Sequence, residues 1–146
     1  MDELKQALKV THASTIAFYM KAHNFHFNVE GPNFPQYHTL FQTIYDEVYG
    51  SVDQFGEEIR ALGSYTPMSP ARIAELSILD EPQIPMPAQE MLQALGQDNQ
   101  ALLEVLKRVF EIANSNNEQG LADFIAGRLD AHKKHAWMLR ATSKPG

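Results

Sequence analysis

The chain has 146 residues, a formal net charge of −6 and no cysteine, and 44% of its residues are apolar. One domain spanning 1–146 is the simplest reading, with enough apolar side chains for a packed core and against disorder. Disulfides and thiolate metal sites are excluded, and the acidic balance weighs against generic nucleic-acid binding, which draws its affinity from clustered Lys and Arg. No run of 18 apolar residues offers a membrane span, and the opening MDELKQALKV is acidic at once, unlike a secretory leader. A reducing cytoplasm is the expected compartment.

Taken in chain order, the pattern is helical throughout and predicts an all-α fold. A first helix is expected over 2–29, with Asp2 as N-cap and Leu4, Leu8, Ile16 and Met20 at near-helical spacing. The break Glu30-Gly31-Pro32-Asn33 ends it. A second helix is expected over 33–62, with Pro35 at its start and Gly63 as the residue that stops it. A connection carrying Pro67, Pro70, Pro82, Pro85 and Pro87 follows, and inside it residues 69–76 read as a short helix with Ser69 as cap and Pro70 in the first turn. A third helix is expected over 87–113. Asn114-Ser115-Asn116-Asn117 is a turn, and a fourth helix is expected over 118–141, capped by Asn117. Four long helices with a short one in the middle crossover make a four-helix bundle. There is no glycine-rich phosphate loop and no Gly-x-Ser-x-Gly elbow.

Four residues carry the chemistry: His26, His38, Asp53 and Glu57. Two imidazoles and two carboxylates suit iron, zinc or manganese. Asp53 and Glu57 are four apart and share a helix face. His38 and Asp53 are fifteen apart on the same expected helix, which is about 22 Å along its axis. One continuous helix cannot bring both to one metal ion. A reversal at the 30–33 break can set His26 beside His38. The histidine pair and the carboxylate pair then occupy opposite ends of one long helix. Two such helices, antiparallel about a two-fold axis, would join the histidines of one chain to the carboxylates of the other and give two identical sites.

The run from His26 to Glu57 resembles the Dps-type mini-ferritins, the starvation DNA-protection family of the ferritin-like superfamily. The likeness lies in His26-Phe27-Asn28 with Gly31, in Asn33-Phe34 and then His38, in Asp53-x-x-x-Glu57, and in Leu62-Gly63. A weaker likeness covers AHKKHAWMLRAT at the C-terminal end. The resemblance implies a ferritin-like four-helix bundle assembled from two-fold dimers into a hollow homo-dodecamer. It implies a ferroxidase centre between subunits, with His26, His38, Asp53 and Glu57 as metal ligands. Fe(II) would be oxidised there by peroxide, or second by dioxygen, and stored as ferric mineral. It also places a pore carboxylate at Asp123, whose bland alternative is a first-turn carboxylate favoured by the helix dipole. Family members that bind DNA often use a lysine-rich tail; none is seen here, so DNA binding is not expected.

The sequence departs from the family pattern in ways that bear on turnover. Phe27 stands where tryptophan, an electron relay, is common. Gln42 stands where a carboxylate is common, and Thr39 and Thr43 lie where acidic nucleation residues often fall. Iron binding is expected to persist, with slower and more modest mineralisation. No Glu-x-x-His motif occurs, so the within-subunit di-iron site of larger ferritins is not expected. Glu58 points about 100° from Glu57 and is read as surface or interior pairing. His12, His23, His132 and His135 are read as ordinary polar residues, the last two as exposed in a Lys-rich turn. Gly50 and Gly56, within the second helix, mark either close helix approach at the two-fold interface or tolerated defects. Two rivals remain at this level. One is a DNA-compacting protein, separable by a salt-sensitive gel shift. The other is a shell holding zinc or another divalent ion without turnover, separable by iron-dependent near-ultraviolet absorbance.

Overall fold

The computed structural model describes residues 1–145. Five helices follow one another: α1 (Asp2–Asn28), α2 (Phe34–Ala61), α3 (Pro70–Leu76), α4 (Ala88–Ser115) and α5 (Gln119–Thr142). The expected elements are all present, within a few residues of their expected ends. Helix ends explain the punctuation. Gly63 sits at φ +87°, and its amide bonds to the Arg60 carbonyl while that of Ser64 bonds to Ile59. This closes α2 with a left-handed residue that costs glycine no Cβ clash. Ser69 accepts a hydrogen bond from the Arg72 amide and Pro70 opens α3, as expected.

Two caps differ from expectation. Asp2 lies in the first turn of α1 behind Met1, where its charge still meets the positive end of the helix. Asn117 does not cap α5. It takes φ 58° and closes α4, with its amide bonded to Asn114 and that of Glu118 to Ala113. Asparagine tolerates the left-handed conformation better than other side chains with a Cβ, so it does here what Gly63 does after α2.

Apolar stripes on the four long helices face inward. Near one end Leu4, Leu8, Phe55, Ile59, Leu106, Val109, Leu121 and Ile125 pack together. Towards the other end Phe18, Phe25, Leu40, Phe41, Ile44, Met91, Leu95 and Leu139 do so. The start of α1 therefore meets the end of α4, and the end of α2 meets the start of α5. Both pairs are antiparallel, so the 62–87 crossover must run the length of the bundle. No helix among the described residues is long and apolar enough to cross a membrane.

Candidate metal half-sites and a polar core

The α1–α2 turn sets the two histidines face to face. Their rings stack with centroids 3.7 Å apart and planes 17° from parallel. His26 Nδ1 lies 2.8 Å from the His38 carbonyl, and His38 Nδ1 lies 2.7 Å from the His26 carbonyl. A carbonyl only accepts, so both Nδ1 atoms carry a proton, and in the neutral rings the lone pair lies on Nε2. The His26 carbonyl belongs to the last turn of α1, where the helix itself supplies no amide. Each ring is thus oriented by the other's backbone, the arrangement that metal-binding imidazoles require of their second nitrogen. Phe34 stacks on His38 with centroids 4.9 Å apart and closes one side. His26 is buried and His38 half-buried, while Phe27 is 67% exposed.

Asp53 and Glu57 are exposed on α2. Because α2 is unbroken from Phe34 to Ala61, Asp53 stands about 22 Å and Glu57 about 28 Å along the axis from His38. Among the described residues, no three His, Cys, Asp or Glu side chains gather where one ion could touch them all. Within one chain the four residues therefore form two separate pairs, neither of which surrounds an ion. Glu58 turns away from Glu57 and is half-buried; burial and the neighbouring Glu118 charge push its carboxyl up. Asp123 is exposed near the start of α5.

His132 and His135 correct the expectation of exposure: they are only 1% and 3% exposed. They belong to a polar cluster inside the bundle. Arg128 donates from Nη1 to Glu47 Oε2 at 2.5 Å and from Nη2 to Oε1 at 3.0 Å, and His135 Nε2 donates to Glu47 Oε1 at 2.8 Å. His132 Nε2 lies 3.2 Å from Arg128 Nη2, which can only donate. His132 is therefore a neutral acceptor there, and its Nδ1 donates to Asn99 Oδ1 at 2.7 Å. Asn99 in turn donates to the His132 carbonyl. Burial, then the charges of Arg128 and His135, push His132 down to about 3. Burial works to raise the Glu47 carboxyl, but the hydrogen bonds from His135 and Arg128 outweigh it and hold the group well below the usual carboxylate range. Arg128 thus brings a buried cation to the cluster, its two Nη atoms bonded to Glu47 on α2 and His132 on α5, while its Nε and His135 Nδ1 are buried without a partner among the described residues.

The sequence carried a signal for this cluster. Leu121, Ile125, Arg128, His132, His135 and Leu139 advance by three or four residues, so the polar groups continue the apolar stripe of α5. Glu47 adjoins the stripe Ile44, Val48, Ser51 and Phe55 on α2, and Asn99 lies on the α4 stripe between Leu95 and Leu102. A second buried pair, Lys21 with Asp98, ties α1 to α4. His12 is buried too, donating from Nε2 to the Pro67 carbonyl at 3.0 Å. Gly56 does admit a close neighbour, but it is the crossover and not a helix. Thr66 Oγ1 donates to the Gly56 carbonyl at 2.6 Å, and a Cβ there would meet Thr66 Cγ2 at 3.3 Å. A Cβ at Gly50 would meet nothing within 4 Å in the chain.

This architecture, a helical bundle with a lengthwise crossover, has known counterparts. A family model described as a ferritin-like domain matches residues 5–144. The chain is 32% identical over 140 residues to DNA protection during starvation protein 2 of Bacillus anthracis, covering 94% of this chain and 96% of that protein. It is similar to the crystal structure of Dps from Staphylococcus aureus, with a TM-score of 0.94 and 29% identity over 100% of this chain and 98% of that one. A Dps protein from Bacillus brevis superposes with a TM-score of 0.93 and 29% identity over 98% and 96% of the two chains. The chain belongs to the Dps branch of the ferritin-like family.

Proposed function

We propose that this chain stores and detoxifies iron as a ferroxidase. In this reading it folds as one domain and pairs about a two-fold axis. His26 and His38 of one subunit and Asp53 and Glu57 of the partner subunit bind Fe(II) together. Peroxide or dioxygen oxidises the ion, and the ferric product is retained inside a hollow dodecamer in the cytoplasm. Asp123 lines the pore by which iron enters.

The observation that carries this reading is the reciprocal bond between the two histidines. It places a proton on both Nδ1 atoms and leaves each Nε2 with no hydrogen-bond partner among the described residues. With each Nδ1 committed to a carbonyl, Nε2 is the nitrogen that each ring can offer to a cation. By helix rise the chain's own Asp53 and Glu57 are about 22 Å and about 28 Å from His38, so only a second copy can supply the carboxylates. Imidazole nitrogens accept Fe(II), and the harder carboxylate oxygens favour Fe(III) once it forms. The departures at Phe27, Thr39, Gln42 and Thr43 leave this ligand set whole. They remove a relay ring and negative charge nearby, so the mineral grows slowly. DNA is not a partner at a net charge of −6.

Complementation tests the shared site. His38→Ala and Asp53→Ala should each abolish most iron oxidation and leave the shell assembled. In a shell co-assembled from equal amounts of the two variants, half the dimers are mixed and each mixed dimer regains one of two sites, so activity should return to about a quarter of the native value. Co-assembled shells no more active than either variant alone would exclude a site built from two subunits.

A further inference from the structure

Inside the bundle a cation sits where oxygen and nitrogen donors meet, and the chain supplies it. Arg128 Nη2 lies 3.0 Å from Glu47 Oε1 and 3.2 Å from His132 Nε2. Its Nη1 lies 2.5 Å from Glu47 Oε2. A carboxylate from α2 and an imidazole lone pair from α5 thus converge on one guanidinium. The same donors suit divalent iron, cobalt and zinc. While the guanidinium stands there, it holds them at hydrogen-bond length, about 3 Å, where a divalent ion would draw them to about 2.1 Å.

His132 is held as a metal-binding imidazole is held. Its Nδ1 donates to Asn99 Oδ1 at 2.7 Å, and Asn99 Nδ2 donates to the His132 carbonyl at 2.9 Å. The first bond orients the ring and leaves the lone pair on Nε2, the nitrogen that faces Arg128. Burial, then the charges of Arg128 and His135, push the ring down to about 3, so that lone pair is present at neutral pH. His135 lies one turn further along α5, with Nε2 2.8 Å from Glu47 Oε1 and Nδ1 buried without a partner among the described residues. Moving its proton from Nε2 to Nδ1 gives the cluster a third donor. The Glu47 side chain is 38% exposed and opens the cluster to solvent.

We infer that Arg128 determines where metal can bind: its guanidinium occupies a cation site formed by Glu47, His132 and His135, and by holding that site it keeps divalent ions out of the bundle interior. This role is independent of the site between subunits. Charge explains why the position does not stand empty. Without Arg128 the cluster is a partly buried carboxylate facing two neutral imidazoles, and a carboxylate that loses its cation in such a place is costly until another arrives. Arginine answers with a charge that is never titrated away and, being covalently attached, never exchanges. A divalent ion in the same place could leave to a chelator or change its oxidation state; the guanidinium does neither.

The test uses the full chain carrying His38→Ala, which disables the site between subunits, with Co(II) as the probe. Adding Arg128→Ala should give binding of about one Co(II) per subunit, with the visible absorption of a nitrogen–oxygen site, where the His38→Ala parent takes up under about a tenth as much. Adding His132→Ala as well should abolish the gain. Folding is followed by circular dichroism with and without Co(II). An Arg128→Ala protein that gains stability from the ion, or folds only in its presence, shows the ion in the place of the guanidinium. A folded Arg128→Ala protein that binds no more Co(II) than its parent would overturn the role of Arg128. So would extra Co(II) that survives His132→Ala, or an Arg128→Ala chain that fails to fold whether or not Co(II) is present.

Discussion

The neutral histidine inside the bundle makes acid the sharpest probe of this fold. His132 is held at about 3 in the folded protein, against 6.5 for an exposed imidazole. The unfolded chain therefore binds a proton that the folded chain refuses. Stability from this group is full above about pH 6.5 and is lost as pH falls below it, at a slope of about 1.4 kcal/mol per pH unit, until the folded pKa is reached. Lowering the pH from 7.5 to 5.0 should thus cost about 2 kcal/mol per subunit from His132 alone. Glu47 adds nothing in that window, because its carboxyl, held low, weakens the fold only below the ordinary carboxylate pKa. The discriminating variant is His132→Gln. Glutamine keeps an acceptor for Arg128 and a donor for Asn99 but does not titrate. Urea unfolding followed by circular dichroism at the two pH values, at one subunit concentration, gives the loss for each protein. The native protein should lose about 2 kcal/mol more than His132→Gln. Equal losses would show that His132 is not held neutral by its surroundings.

Three further outcomes are expected. Phe41→Ala removes a fully buried ring and should cost about 3–5 kcal/mol, read as a lower denaturant midpoint with the helical signal intact at low denaturant. Gly63→Ala forces a Cβ into φ +87° and should cost roughly 1 kcal/mol by the same measurement; no loss would mean that the end of α2 relaxes. Duplex DNA should bind weakly at neutral pH and physiological salt at a net charge of −6, and a submicromolar, salt-tolerant complex in a gel shift would contradict that.

The helices were legible because their signals are local. Ser69 before Pro70, Gly63 after the last turn of α2, and the spacing of Leu4, Leu8 and Ile16 each speak through neighbours in sequence. The separation of the histidine pair from the carboxylate pair was legible for a related reason: helix rise alone sets His38 apart from Asp53. His132 and His135 were misread because Lys133 and Lys134 lie between them and colour the segment as surface. Helical phase decides burial, and phase puts both histidines in line with Ile125 and Leu139. Asn117 misled for a different reason, since asparagine serves equally at the start of one helix and the end of another.

The crossed hydrogen bonds of His26 and His38 run from ring to backbone and not from ring to ring. Each ring keeps its place while the other residue's carbonyl is in register, whatever side chain that residue carries. Replacing one histidine removes its own ring and the stacking against the survivor, but not the survivor's hydrogen bond. The turn between α1 and α2, and not the neighbouring imidazole, therefore aims each ring, and one can be lost without turning the other loose.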